Sequence, residues 1–164
     1  MSIEFGEFSL VDFQPQYQEE LIELLDKGYK FLGYTSLELD TLDADLFEIT
    51  ELYKTPSCFK LLFDKDKLIG SVAVKVDSDA NEAELKRVFV DERYQGLGLG
   101  KKLSLWAFDY AKAQGCGLMH IWSGTLCYTA HGLYERLGAK NMAEKRFIGG
   151  QDDCEEFYFL KDLN

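Results

Sequence analysis

The densest glycine spacing in this chain of 164 residues lies in the segment YQGLGLGKK, residues 94–102. Gly96, Gly98 and Gly100 alternate ahead of two lysines, between a predicted strand and a predicted helix. Glycines at such a junction let main-chain N–H groups approach a ligand at the positive end of a helix, where anions bind. The spacing therefore predicts a phosphate-binding loop, and the alternative is a tight turn without a ligand.

Two common nucleotide-binding motifs do not fit this segment. A P-loop follows G-x-x-x-x-G-K-[ST], but Gln95 stands at its first glycine and Lys102 at its hydroxyl residue. A dinucleotide fingerprint, G-x-G-x-x-G, fails because Lys101 stands at the third glycine and no acid closes the next predicted strand. The segment also follows three strands predicted to be antiparallel, rather than the first strand of a βαβ unit.

Charge and hydropathy exclude several classes of function. The net charge of −11 repels the phosphate backbone of nucleic acids, so no nucleic-acid partner is expected. The chain has no apolar run of about 18 residues, the length that predicts a membrane span. Residues 1–10 lack the basic start and apolar centre of a signal peptide. The expected compartment is therefore the cytoplasm, with no membrane partner.

The cysteines and histidines show no metal-ligand spacing. With two histidines and no C-x-x-C pair, the chain is not expected to hold a metal. We expect the cysteines to be reduced and partly buried. They are Cys58, Cys116, Cys127 and Cys154.

Hydrophobic periodicity divides the chain into strands and helices within one continuous domain, residues 1–164. The predicted strands lie within 4–13, in two runs that flank 64–67, and at 83–90, 118–123, 143–149 and 155–160. The predicted helices are 17–31, 43–53, a long helix from Leu99 that ends at Gly115 and Gly117, and 129–137. The order β-α-α-β-β-β-α-β-α-β-β predicts an α+β fold with a mixed, largely antiparallel central sheet flanked by helices.

Residues 95–100, QGLGLG, match the pattern Q/R-x-x-G-x-G/A. In this they resemble the pyrophosphate loop of the GNAT superfamily of acyl-CoA-dependent N-acetyltransferases. The stretch AELKRVFVDERY ahead of the loop is similar to that family's fourth strand, and AHGLYERLGAK at 130–140 is similar to its later A-x-x-L-Y-E-x-x-G-F signature. The resemblance implies the GNAT fold, acetyl-CoA as cosubstrate and no metal.

The resemblance also implies which residues bind acetyl-CoA. Main-chain groups of the fourth strand would pair with the pantetheine arm as an added strand does, and the amide of Val88 would face the thioester oxygen. Loop amides would bind the pyrophosphate, and a Cβ at Gly98 or Gly100 would push the backbone away from it. Lys101 would add a positive charge. The implied residues are Val88, Phe89, Val90, Gln95, Gly96, Gly98, Gly100 and Lys101.

Two residues take catalytic roles through the same resemblance. Tyr134 matches the tyrosine that protonates the departing CoA thiolate, and the alternative is a tyrosine that only packs its ring. Glu84 resembles the glutamate base of histone-type members; an exposed His131 and a water relay are alternative bases. Cys127 departs from the family pattern, because many members carry there an asparagine that contacts the pantetheine arm. Ala139 replaces the terminal phenylalanine of the later signature.

The function implied is transfer of an acetyl group to a primary amine of a small molecule or peptide, by direct attack in a ternary complex. A CoA-binding regulatory module without turnover is the alternative. Residues 33–48 carry five acids and no base in a segment that the family places beside the acceptor, which favours a cationic amine. Acids that serve only solubility are the alternative there. Leu105 and Phe108, off the main apolar stripe of the long helix, allow a homodimer.

Overall fold

An eight-stranded sheet with helices on both faces forms the described part of the chain, residues 3–164, in this computed structural model. The strands are β1 Ile3–Phe5, β2 Phe8–Asp12, β3 Cys58–Asp64, β4 Lys67–Asp77, β5 Glu82–Val90, β6 Leu118–Gly124, β7 Lys140–Gly149 and β8 Cys154–Asp162. The helices are α1 Gln18–Leu32, α2 Ile49–Leu52, α3 Leu99–Ala113 and α4 Tyr128–Arg136, with 3-10 turns at Pro15–Tyr17, Ala44–Phe47 and Glu92–Tyr94.

The strand order is β1-β2-β3-β4-β5-β6-β8-β7, and among the described strands the β5–β6 pair is parallel while the other neighbours are antiparallel. This order confirms the predicted α+β fold with a mixed, largely antiparallel sheet. Within residues 3–164, no helix combines the length and apolarity that crossing a membrane requires.

Two predicted elements are wrong in extent. The single strand predicted within 4–13 is a hairpin, because Gly6 adopts a positive φ of 74° and reverses the chain between β1 and β2. The continuous helix predicted over 43–53 is broken at Glu48 into the 3-10 turn and the single turn of α2.

The sheet has a hydrophobic core on each face. On one face, buried α3 residues such as Leu103 and Ala107 pack against Leu85 and Ile121. On the other face, Leu21 and Leu25 of α1 belong to a second buried cluster with strand residues of β3 and β4. The sheet therefore presents one face to α3 and α4 and the opposite face to α1.

One residue predicted to lie off the apolar stripe of α3 belongs to the core. Phe108 is 5% exposed, so it is not available on the surface for the homodimer that the sequence allowed. Leu105 is 41% exposed, as predicted. The α3 face therefore offers less apolar surface than the sequence suggested.

β5 and β6 pair over a short distance and then separate. Their parallel ladder runs from the Glu82–Leu118 pair to the Leu85–Ile121 pair. Beyond it, β5 continues beside β4, while β6 continues beside β8 as far as Gly124. The sheet therefore opens into a gap lined by the main chain of β5, and the candidate functional site lies at this gap.

Candidate functional site

A cavity of about 630 Å³ opens where β5 and β6 separate. It is bounded by α1, the segment after α1, β5, the end of β6 and the β7–β8 hairpin. Four of the predicted cofactor-binding and catalytic residues line it together: Glu84, Val88, Phe89 and Tyr134. Its volume lies in the range of small-molecule sites in proteins.

Val88 has no ladder partner in either neighbouring strand among the described residues. The Asp91 N–H donates to the Ile69 carbonyl at 2.7 Å, so alternate main-chain groups of β5 point toward β4. By this alternation, the amide of Phe89 faces β4, whereas those of Val88 and Val90 face the gap. The Val90 carbonyl accepts a hydrogen bond from Gln95 Nε2 at 3.3 Å. Val88 is therefore the residue best placed to pair with an extended ligand.

Phe89, also predicted as a cofactor-binding residue, differs from Val88 and Val90 because its main chain does not face the gap. It pairs with Ser71 of β4, and its side chain lines the cavity instead. A Cβ at Gly28 of α1 would overlap the Phe89 ring, so glycine at position 28 allows α1 to approach β5 closely.

Arg87 forms a bulge in β5 and links the cavity wall to the segment after α1. It has a φ of 53°, and the register with β4 shifts beside it. Its guanidinium donates to Asp43 at 2.9 Å, Asp45 at 2.6 Å and the Tyr29 hydroxyl at 3.0 Å. Burial alone would lower the pKa of Arg87, but contact with Tyr29 and these carboxylates raises it. Removing one member of a buried ion pair costs about 3–5 kcal/mol, so this cluster fixes the wall.

This cluster corrects one reading of the acids in residues 33–48. Asp43 is 6% exposed and is paired with Arg87, so it is not part of a free acidic rim. Asp45 is paired with the same guanidinium. The linear count of acids therefore overstates the free negative charge of this segment.

The glycine loop lies beyond the end of β5 and outside the cavity lining. Asp91 caps the 3-10 turn that leads to it, accepting from the Arg93 N–H at 2.9 Å. The Gln95 N–H donates to the Glu92 carbonyl at 3.3 Å, so this amide is used within the turn rather than offered to a ligand. Gly96 and Gly98 have φ values of 83° and 75°, and a Cβ on either would meet no protein atom within 4 Å.

α3 begins directly after Gly98, which as a glycine has no side chain to cap the helix. The first N–H groups of a helix have no partner within the helix, so those of α3 are offered to a ligand on the open side of the loop. Gly100 differs from Gly98, because its Cβ would contact Leu133 Cδ2 at 3.6 Å and so faces α4. Lys101 is exposed, whereas the Lys102 ammonium lies beside the β1–β2 turn.

Tyr134 is 5% exposed, and its ring packs edge-on against Phe159 at a centroid distance of 6.0 Å. It lines the cavity, and burial raises the pKa of its phenol above the ordinary value of 10. The phenol therefore keeps its proton at neutral and moderately alkaline pH, as a proton donor must. Cys127, at the start of α4, lines the same cavity, and burial raises the pKa of its thiol.

Glu84 reaches the cavity from β5, where it lies between Lys75 of β4 and His120 of β6 in the strand register. Its Oε1 lies 3.4 Å from Lys86 Nζ, and its side chain is 32% exposed. His131, an alternative base, is half-buried rather than exposed: its ring packs against Phe159, and its Nε2 lies 3.2 Å from Ser123 Oγ. His131 is not among the cavity-lining residues.

Seven carboxylate and four cationic side chains line the cavity among the described residues. The carboxylates are Glu38, Asp43, Asp45, Glu84, Asp152, Glu155 and Glu156, and the cations are Lys75, Lys86, Arg87 and Arg146. Lys75 donates to the Leu52 carbonyl, and Arg146 pairs with Glu156 at 2.6 Å. Lys145, which is not among the lining residues, pairs with Glu155 at 2.8 Å, so the lining keeps an excess of two negative charges. Within residues 3–164, no three metal-ligating side chains form a group suited to a metal ion.

A stack of flat side chains, which the sequence reasoning missed, continues from the cavity along β6 and β8. The Arg146 guanidinium lies 4.3 Å from the Trp122 ring centroid, and Trp122 stacks on Tyr158 at 4.6 Å. Tyr158 stacks on His120 at 5.9 Å, and His120 Nε2 lies 2.8 Å from Glu82. The alternation of His120 and Trp122 in LMHIWS is the signal that could have placed both on one face.

Comparison with known proteins gives one family and several relatives. A sequence profile described as the Acetyltransferase (GNAT) family matches residues 18–139. N-acetylaspartate synthetase of Danio rerio is 30% identical over 113 residues, which cover 69% of this chain and 40% of that protein. The chain therefore spans well under two thirds of the length of that relative.

Solved structures share the fold. An acetyltransferase of the GNAT family from Staphylococcus aureus Mu50 superposes with a TM-score of 0.78 at 23% identity, over 96% of this chain and 99% of that chain. The protein yncA of Salmonella typhimurium, solved with its cofactor acetyl-CoA, gives a TM-score of 0.71 at 16% identity, over 97% and 95% of the two chains. At these identities the likeness shows the fold.

Proposed function

The chain belongs to the acetyltransferase (GNAT) family, and from this premise we propose that residues 1–164 form one domain that transfers the acetyl group of acetyl-CoA to a primary amine. The observation that carries the proposal is the single cavity at which the free edge of Val88, the Tyr134 side chain and the Glu84 side chain meet. A CoA-binding module without turnover needs a cradle but neither an acid nor a base.

The residues present fit acetyl-CoA. The gap beside Val88 offers unpaired main-chain groups to an extended arm, as strand addition requires. Gly96 and Gly98 leave the outer side of the loop free of side chains, at the start of α3, where a pyrophosphate is stabilised. Lys101 is exposed beside that site and adds a positive charge. When bound, acetyl-CoA supplies the thioester whose carbonyl carbon the amine attacks.

This chain's own groups divide the work of the transfer. Glu84 accepts the proton that the ammonium form of the acceptor must lose before it can attack. The Val88 N–H, directed into the gap, stabilises the negative charge that develops on the carbonyl oxygen. Tyr134 donates its proton to the departing sulfur, and the second proton that the attacking nitrogen loses restores the Tyr134 phenol. The amine thus attacks the thioester directly, with both substrates bound in the cavity at the same time.

Replacing Glu84 with glutamine should lower kcat/KM for the acceptor most strongly at low pH. There a smaller fraction of the amine is already neutral, so more of the rate depends on the base; typical contributions of a general base are about 10²–10⁴-fold. The measurement is the pH profile of kcat/KM for both proteins. Glu82→Gln is the matched control, because Glu82 lies on the same strand but outside the cavity lining. A constant ratio of wild type to Glu84→Gln across pH would assign the base elsewhere.

The acceptor is a cationic amine, since the cavity lining carries two more carboxylates than cationic side chains once Glu155 is counted with its partner Lys145. Thiol release from acetyl-CoA should therefore be faster with cationic amines than with neutral or anionic ones of equal size. The acceptor KM should also rise with salt, because charges further apart than about 10 Å are screened at 0.1 M ionic strength. A preference for an anionic amine, such as the aspartate that the name of the matched synthetase implies, would contradict this choice of acceptor.

The cytoplasm stays the proposed compartment, and four free cysteines among the described residues agree with it. A homodimer stays a prediction that rests on Leu105, which is exposed on α3.

A further inference from the structure

Two segments more than a hundred residues apart in sequence are hydrogen-bonded to each other beside the cavity. The Thr35 N–H donates to Asp152 Oδ2 at 2.8 Å, and the Thr35 hydroxyl donates to Asp152 Oδ1 at 2.6 Å. The Gln151 N–H donates to Glu38 Oε2 at 3.0 Å. Gln151 Nε2 also lies 3.2 Å from the Ser36 carbonyl and 3.0 Å from its hydroxyl. We call residues 34–42 and 148–154, joined in this way, the arch.

Both halves of the arch line the cavity. Tyr34, Ser36 and Glu38 line it from the segment after α1, and Ile148 and Asp152 line it from the β7–β8 hairpin. The hydrogen bonds therefore join the two walls of the cavity to each other. An acceptor that approaches from this side meets a bridged rim rather than an open groove.

The arch is held firmly at its first half. The Leu37 N–H donates to Asp26 of α1 at 3.0 Å, and the Glu38 N–H donates to Asp43 Oδ2 at 2.8 Å. Asp43 is in turn paired with the buried Arg87 guanidinium of β5. The first half of the arch is thus attached to the same strand that offers Val88 to the gap, so opening the arch there would disturb a buried charge cluster.

The second half of the arch packs closely against the first. Gly150 has a φ of 78°, and a Cβ on it would overlap Glu38 Oε2. Glycine at this position lets the hairpin turn lie directly on the Glu38 carboxylate. Among the described residues, the Glu38 and Asp152 carboxylates accept hydrogen bonds from Gln151 and Thr35 but pair with no cationic side chain, so the arch adds two negative charges to the cavity lining.

We propose that the arch restricts the acceptor to small cationic amines and keeps the amino groups of polypeptides out of the site. This inference rests on the proposed acetyl transfer. The cavity of about 630 Å³ must hold the thioester end of acetyl-CoA as well as the acceptor. A polypeptide would also need a path for the rest of its chain, at about 3.3–3.6 Å for each extended residue, and the bridged rim blocks that path on this side. A small amine with a second ammonium group needs no such path, and the carboxylates of the cavity lining, Glu38 and Asp152 among them, stabilise its charge.

The test compares a small diamine with a short peptide as acceptors, using thiol release from acetyl-CoA and mass spectrometry of the products. The probes are 1,4-diaminobutane and a hexapeptide with a free N-terminus and one lysine. For the wild-type protein, kcat/KM for the diamine should exceed kcat/KM for the peptide by more than about tenfold. A tenfold ratio corresponds to a difference of about 1.4 kcal/mol in transition-state stabilisation.

The decisive variant weakens the arch without changing its charge, and the two bonds donated by main-chain N–H groups remain. Thr35→Val with Gln151→Ala removes the three side-chain hydrogen bonds that these two residues donate across the rim. The peptide kcat/KM should rise by about tenfold, because each lost bond makes opening easier, while the diamine kcat/KM changes by less than about threefold. If the double variant shows no cooperative unfolding transition, and so is not folded, Gln151→Ala alone is used for the same comparison.

Asp153→Asn is the matched control for a change in the hairpin turn. Asp153 is exposed and makes none of the arch hydrogen bonds, and asparagine tolerates its φ of 48°. This variant should keep the wild-type preference. Equal turnover of peptide and diamine by the wild type, or an unchanged preference in the weakened double variant, would overturn the inference about the arch. No thiol release with any amine would overturn the proposed function instead.

Discussion

Replacing Gly98 with valine should abolish acetyl-CoA binding while the protein stays folded. The open side of Gly98 is the side on which we expect the pyrophosphate, and a branched side chain there would hold it away from the amides at the start of α3. The loss should reach roughly a hundredfold in affinity or more, because each hydrogen bond to a charged group contributes about 1.5–3 kcal/mol. Titration calorimetry with CoA measures the change.

Two glycine controls separate this effect from backbone strain. Gly115→Val carries similar strain, because Gly115 has a φ of 88° with no atom near its Cβ, but it lies at the far end of α3. Gly100→Ala adds an ordinary contact with Leu133 instead of blocking the loop. Both should bind CoA within a few-fold of the wild type. A folded Gly98→Val protein with unchanged CoA affinity would refute the phosphate role of the loop.

Replacing Tyr134 with phenylalanine should lower kcat by about 10²-fold, the lower end of what a general acid contributes. The ring keeps its packing against Phe159, so stability and acetyl-CoA affinity should change little. A thiolate is a stable leaving group and needs limited help, which sets the effect at this end of the range. Steady-state kinetics with an efficient acceptor measures the change in kcat, and calorimetry with CoA measures the change in cofactor affinity.

The pH profile gives the same prediction a second test. Because burial raises the pKa of Tyr134, its phenol keeps the transferable proton below pH 10 and loses it only above that value. The wild-type kcat should therefore show no decrease from this group up to about pH 10. Tyr128→Phe is the control on the same helix, since Tyr128 is 71% exposed. An unchanged kcat for Tyr134→Phe would leave Tyr134 with a packing role alone.

Local patterns in the sequence determined the elements that need no distant partner. α1 and α3 follow from apolar residues at helical spacing, and β3 to β5 follow from short apolar runs separated by polar turns. The glycine loop is also local, because the positive φ values at Gly96 and Gly98 and the start of α3 involve a few consecutive residues. For these elements the periodicity of the chain and its packing agree.

Prediction failed where a tertiary contact competed with the local pattern. The acids at the start of the predicted helix 43–53 suit a helix N-terminus, yet Asp43 and Asp45 turn toward Arg87, more than forty residues away. The β5 bulge that brings Arg87 there has no signal in its neighbouring residues. Phe108 was misplaced for a related reason, because the apolar face of α3 is wider than the stripe read from its spacing.

The tertiary structure alone decided how the candidate residues are arranged. Glu84, Val88 and Tyr134 were identified one by one, but their meeting at one cavity depends on β5 and β6 separating after Leu85. The arch joins Thr35 to Asp152 across 117 positions, and no local pattern records which distant polar groups will pair. Composition predicts how many charges a chain carries, whereas packing decides which of them are neutralised and which face the cavity. Access to the site and its charge were therefore properties of the fold.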